Sequence, residues 1–82
     1  MRNVVVKISA LTKSELESIR SEANFTSEQN RMYDLLNLDV HTDAGIMLAM
    51  GLSPRRYYKT KKIVCDKTDR IAQEKGLKSA IN

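Results

Sequence analysis

The fold turns on residues 42–67, TDAGIMLAMGLSPRRYYKTKKIVCDK. Ile46, Met47, Leu48, Ala49 and Met50 make a short apolar segment. It runs into Gly51-Leu52-Ser53-Pro54 and then into the densest basic run of the chain. Each residue of that break has a physical reason. A glycine just past a helix end adopts the left-handed cap conformation without a Cβ penalty. Leu52, apolar within the turn, can plug the gap between two helices. Ser53 can accept from a free backbone N–H at the start of the next helix. Pro54 at the first helical position loses nothing, because its missing N–H has no helical partner there. The order predicts a helix–turn–helix, with a bracing helix over residues 42–50 and a second helix from 54. An ordinary helical hairpin in a small bundle is the plainer alternative, since turn signals of this sort are common in bundles.

Downstream, the second helix is expected to run from Pro54 to Lys75 and to stop at Gly76. At 100° per residue, Tyr57, Thr60, Val64, Thr68 and Ile71 gather on one side. Arg55, Lys59, Lys62, Asp66 and Arg70 gather on the other, with Tyr58 at its edge. The basic residues thus form a stripe. Lys61 intrudes on the inward face.

Upstream, Thr12 and Glu15 have the spacing of a capping box, and Leu11 with Leu16 matches a hydrophobic staple. Leu16, Ile19 and Ala23 supply the inward face of a helix that Asn24 ends. Phe25-Thr26 opens the next helix, with Thr26 and Gln29 as a weaker capping box. Met32, Leu35 and Leu36 form its apolar stripe, Tyr33 flanks it, and it ends at Asn37-Leu38-Asp39. Residues 39–42, DVHT, connect to the bracing helix, which Thr42 caps. Near the start, residues 3–8, NVVVKI, alternate like a short strand with Val4, Val6 and Ile8 on one face. No other segment reads as a strand. It is therefore expected to pair with another molecule, to pack as an extended arm, or to stay loose. The expected fold is all-α: a small three- to four-helix bundle with a C-terminal helix–turn–helix, preceded by a short N-terminal extended arm or strand. In segments, residues 1–10 are the arm, 11–75 the helical domain and 76–82 a flexible tail.

Eighty-two residues make one small domain with a modest core. Net charge is +4, but its distribution says more. Residues 1–52 hold five Lys/Arg against seven Asp/Glu, whereas residues 53–82 hold nine against three. That asymmetry suits a polyanion partner; a solvated basic tail is the alternative. The single cysteine, Cys65, rules out an intramolecular disulfide and suggests a cytosolic protein. No run reaches transmembrane length, and MRNVVVKISA is too short and too polar for a signal peptide. No enzyme site, cofactor or metal is expected. His41 is alone in a connector, Cys65 has no second cysteine for zinc, and three scattered glycines make no phosphate-cradling loop.

The stripe has the chemistry of a duplex-DNA contact. A helix fits the major groove and its first turns reach base edges. Arg55, Arg56, Tyr58, Lys59 and Lys62 lie in those turns. Arginine can pair bidentately with guanine, lysine can bond a base or a phosphate, and Tyr58 can meet a phosphate or a thymine methyl. Ser53 and Thr42 stand at helix N-termini, whose free N–H groups suit phosphate. Arg55, Arg56, Lys59, Lys61, Lys62 and Lys67 against Asp66 imply a steep salt dependence. RNA fits less well, because no aromatic-rich sheet is present to stack bases. Insertion into a membrane surface fits poorly, because Thr60, Lys61 and Thr68 interrupt the apolar side.

Three runs carry a family resemblance. Phe25-Thr26 with Glu28-Gln29, then Met32-Tyr33 with Leu35-Leu36, then Ile46 to Arg55 resemble the helix–turn–helix of bacterial sigma-factor region four and of LuxR-type response-regulator domains. The continuation Arg56-Tyr57-Tyr58-Lys59 with Lys61-Lys62 looks more like small phage and prophage regulators of the ArpU/RinA type. The resemblance spans roughly residues 25–70. It implies a three- or four-helix DNA-binding domain acting in transcription in a bacterium or its phage, cytoplasmic and nucleoid-associated. The partners it implies are double-stranded DNA, a second copy in a homodimer, and RNA polymerase. By position, Arg55, Arg56, Tyr58, Lys59 and Lys62 would be the recognition-helix contacts. The chain departs from the pattern in three places. Met47 replaces a usually small residue, Lys61 a usually apolar one, and Asp39-Val40-His41 the usual glycine-containing connector. These 82 residues hold no counterpart of a core-polymerase-binding region, so a complete sigma factor is not expected. Two other readings compete. In one, a small interaction or phage accessory module docks a protein through the lone strand and Leu48. In the other, a ribbon-helix-helix dimer reads DNA with residues 3–8.

Overall fold

A computed structural model describes residues 5–38, 42–76 and 80–81. Four helices follow in order: α1 (Lys13–Ala23), α2 (Ser27–Leu38), α3 (Asp43–Met50) and α4 (Pro54–Lys75). A single 3-10 turn, Ile8–Ala10, precedes them. The domain is all-α, as its periodicity requires.

The helix ends obey local chemistry. Thr12 and Glu15 bond reciprocally, side chain to backbone, at the start of α1. Thr26 and Gln29 do the same before α2, both bonds at 3.2 Å. Thr42 accepts from the Gly45 N–H at 3.1 Å and Ser53 from the Arg56 N–H at 3.3 Å. Three helices end on left-handed residues: Asn24 (φ 52°), Gly51 (φ 66°) and Gly76 (φ 63°). Asn24 bears a side chain in that region, which asparagine tolerates better than most residues.

The core gathers around α4, which packs on both α1 and α2, while α3 packs on α2. Ile19, Met32, Tyr33, Ile46, Tyr57 and Val64 are fully buried at its centre, with Ile8, Leu11, Ile71 and Ala72 around them. Each such aliphatic side chain contributes roughly 1.5–3 kcal/mol by leaving water. Thr68 and Thr60, on the inward face of α4, are both satisfied. The Thr68 hydroxyl donates to the Val64 carbonyl at 2.7 Å, and that of Thr60 to Glu28 at 3.3 Å.

Three expectations need correction. Tyr33 does not flank the apolar stripe of α2 but lies in the core. Its hydroxyl donates to the Leu16 carbonyl at 3.0 Å, which gives the polar end of the ring a partner and lets the rest be buried. Burial pushes its phenol pKa up. Lys61 does not spoil the inward face, because its ammonium reaches out to Asp43 at 2.8 Å along a half-buried stem. The strand-like segment has a partner within the chain: β1 (Val5–Val6) pairs antiparallel with β2 (Ala80–Ile81), Val5 opposite Ile81 and Val6 opposite Ala80. Those last two residues belong to the segment expected to be a tail. Just beyond β1, the Asn37 amide donates to the Ile8 carbonyl at 3.0 Å and ties the end of α2 to the 3-10 turn. Met47 is half-buried against the core. The Asp39-Val40-His41 connector and Asn3-Val4 lie outside the described residues.

Candidate nucleic-acid interface

Tyr57 organises the site. Its ring is fully buried one turn into α4. Its hydroxyl donates to Asp43 Oδ1 at 2.5 Å, the same oxygen that accepts from Lys61 Nζ at 2.8 Å. The Lys61 ammonium also stands 5.8 Å from the centre of the Tyr57 ring, within cation–π range. Asp43 lies in the first turn of α3, so this three-membered tie joins the start of α3 to the N-terminal half of α4. The Lys61 bond, then the Tyr57 bond, hold the Asp43 carboxyl below the usual carboxylate range. Burial, then the bond to Asp43, push the Tyr57 phenol up.

With Tyr57 turned inward, helical geometry sends Arg55, Arg56, Tyr58, Lys59 and Lys62 outward, and all five are exposed. Tyr58 is 52% exposed and meets Tyr57 edge-on, ring centres 5.0 Å apart. Ser53 stands at the head of α4, where a surface depression of about 370 Å³ is lined by Ser53, Arg55, Arg56 and Lys59. Thr42 is exposed and precedes Asp43, the residue that accepts from Tyr57 and Lys61. The structure thus gathers Ser53, Arg55, Arg56 and Lys59 around one depression.

The six cations of residues 55–67 divide into two groups. Arg56 pairs with Glu28 of α2 through two contacts, Nη2 to Oε2 at 2.8 Å and Nε to Oε1 at 3.3 Å. Lys61 holds Asp43. Lys67 donates to the Gln29 amide oxygen at 3.2 Å and lies 5.7 Å from the centre of the Phe25 ring. Among the described residues, Arg55, Lys59 and Lys62 have no ion-pair partner. The wheel angles of these three span only a narrow sector of α4. Ile63, 37% exposed, borders the same face and was overlooked in the sequence. Its only signal was its place directly after Lys62. Glu28 and Asp43 were also missed as partners of the basic helix, since nothing in their local sequence marks contacts across 28 and 18 residues.

A second surface adjoins the turn. Leu48 is 85% exposed, off the core face as its wheel position predicts. It borders an apolar depression of about 390 Å³ that also includes Met47, Leu52 and Pro54. Among the described residues, no helix is long and apolar enough to cross a membrane. Comparison with protein-family models, with curated proteins and with solved structures finds no match to this chain.

Proposed function

We propose that the domain binds double-stranded DNA, with α4 in the major groove and α3 bracing it, and that it acts in transcriptional regulation. One observation carries this reading. Arg55, Lys59 and Lys62, without an ion-pair partner among the described residues, lie on one outward face of a helix whose opposite face is buried, with Tyr58 beside them. Unneutralised cations along a rigid helix are what a phosphate-lined groove attracts. The tie from Asp43 to Tyr57 and Lys61 supports it further, because groove docking needs a fixed angle between bracing and reading helices. Arg55 is the strongest candidate for a base edge, and Lys59 and Lys62 for base or phosphate. Ser53 and Thr42 would offer helix-start N–H groups to the backbone. A homodimer on an inverted repeat and contact with RNA polymerase belong to the same proposal.

An electrophoretic shift with random duplex at two salt concentrations tests it. Three cations without an ion-pair partner among the described residues predict that log K falls with log salt at a slope of about −3, less than six would give. No binding even at low salt would end the proposal.

The competing interaction-module reading has its own observation, the exposed Leu48 and the apolar depression beside it. The ribbon-helix-helix reading has less support, because β1 pairs with β2 of the same chain. Replacing the exposed Lys7 by alanine separates it from α4 docking: a large loss of DNA affinity would favour the ribbon.

A further inference from the structure

We infer that Glu28 is a positioning residue for the proposed interface, standing in for a phosphate on Arg56 and so withholding one cation from the polyanion. This rests on the reading that α4 binds duplex DNA. The geometry is two-pronged: Arg56 Nη2 meets Oε2 at 2.8 Å and Nε meets Oε1 at 3.3 Å. A carboxylate engaged in this way uses the donors that a phosphate would use. Glu28 is itself held in place. Its Oε1 accepts from the nearly buried Thr60 at 3.3 Å, and the Thr26–Gln29 box fixes the turn it grows from. An acidic side chain in the first turn of α2 is also favoured by that helix's dipole.

The position of Arg56 gives the contact its consequence. It lies 100° around α4 from Arg55, on the shoulder that faces α2. Lys59 lines the same depression as Glu28 and Arg56, about 260 Å³, without an ion-pair partner among the described residues. A phosphate that captured Arg56 would have to displace Glu28 and would then sit beside a bare carboxylate. Glu28 therefore works against indiscriminate backbone binding and leaves the contact to Arg55, Lys59 and Lys62.

The full chain and its Glu28→Gln, Arg56→Ala, Arg55→Ala and doubly substituted Glu28→Gln/Arg56→Ala forms are titrated with random-sequence duplex over a salt series. Glutamine keeps an acceptor for Thr60 and removes only the charge. Glu28→Gln is expected to steepen the salt slope by about 0.9 and to raise affinity roughly fivefold to tenfold at about 0.1 M salt. Arg56→Ala alone is expected to lower affinity, because it bares the Glu28 carboxylate beside Lys59, whereas Arg55→Ala flattens the slope by removing a contact. The double form is expected to match the wild type. If the double form flattens the slope as Arg55→Ala does, or if the Glu28→Gln gain survives without Arg56, the inference fails and the interface stands. If the wild type binds no duplex at low salt, both fail together. An NMR titration of Glu28 gives a reading without DNA, since the Arg56 guanidinium holds this carboxyl below its ordinary range. It should titrate higher in Arg56→Ala, and an ordinary value in the wild type would overturn the inference alone.

Discussion

Two carboxylates reach α4 from the first turns of other helices, Asp43 from α3 and Glu28 from α2. They do different things. Asp43 shares one oxygen between a buried phenol and a half-buried ammonium, so its contact is continuous with the core. Glu28 meets a guanidinium whose side chain is 65% exposed. The first tie fixes where α4 points. The second, on the inference above, governs how much charge α4 presents. An ion pair therefore needs to be read with what lies behind it: a packed ring makes Asp43 architectural, whereas the exposed Arg56 side chain keeps the stabilising effect of the Glu28 pair small.

The largest effect should come from breaking the architectural side. Tyr57→Ala removes the ring at the centre of the core and should cost about 3–5 kcal/mol in urea denaturation, enough to threaten a domain this small. Asp43→Asn is milder. It removes the charge but keeps an oxygen for the Tyr57 hydroxyl, and with Asp43 partly exposed the loss should be about 1 kcal/mol. Its signature is in the pH dependence. The folded carboxyl titrates below its unfolded value, so its contribution is complete above the unfolded pKa and disappears as pH falls through the lowered folded one. Denaturation midpoints of wild type and Asp43→Asn should therefore converge in acid and separate toward neutrality. A constant gap across that range would show that the charge is not what matters.

Much of this architecture was readable from residues close together in the chain. Thr12 with Glu15, Thr42, Ser53-Pro54, Gly51 and Gly76 all act within four residues, and each took its expected role. The 3.6-residue period likewise separated Tyr57, Val64, Thr68 and Ile71 from Arg55, Lys59 and Lys62. What was not legible spans distance. Periodicity put Tyr33 on a flank, because it cannot see that the Leu16 carbonyl waits for its hydroxyl. It made Lys61 a flaw, because the compensating Asp43 belongs to another helix. It counted six basic residues as equal, although Glu28, Asp43 and Gln29 engage three of them. The partner of residues 5 and 6 lies at the far end of the chain, in two residues with no strand pattern of their own.

Glu28→Gln should sharpen the contrast by leaving stability within about 0.5 kcal/mol while moving the salt slope. The smallest effect on folding is expected at Leu48. Glutamine there keeps helix propensity close to that of leucine and gives up almost no buried surface. Thermal unfolding of Leu48→Gln should match the wild type within about 0.5 kcal/mol. Its value lies in what it separates. Leu48 is on α3 rather than α4, and an uncharged replacement leaves the electrostatic term untouched. If α4 alone carries the function, duplex affinity and its salt slope will both survive this change. If both survive yet regulation in cells is lost, the apolar surface beside the turn has a protein partner, and the domain uses two faces joined by one short turn.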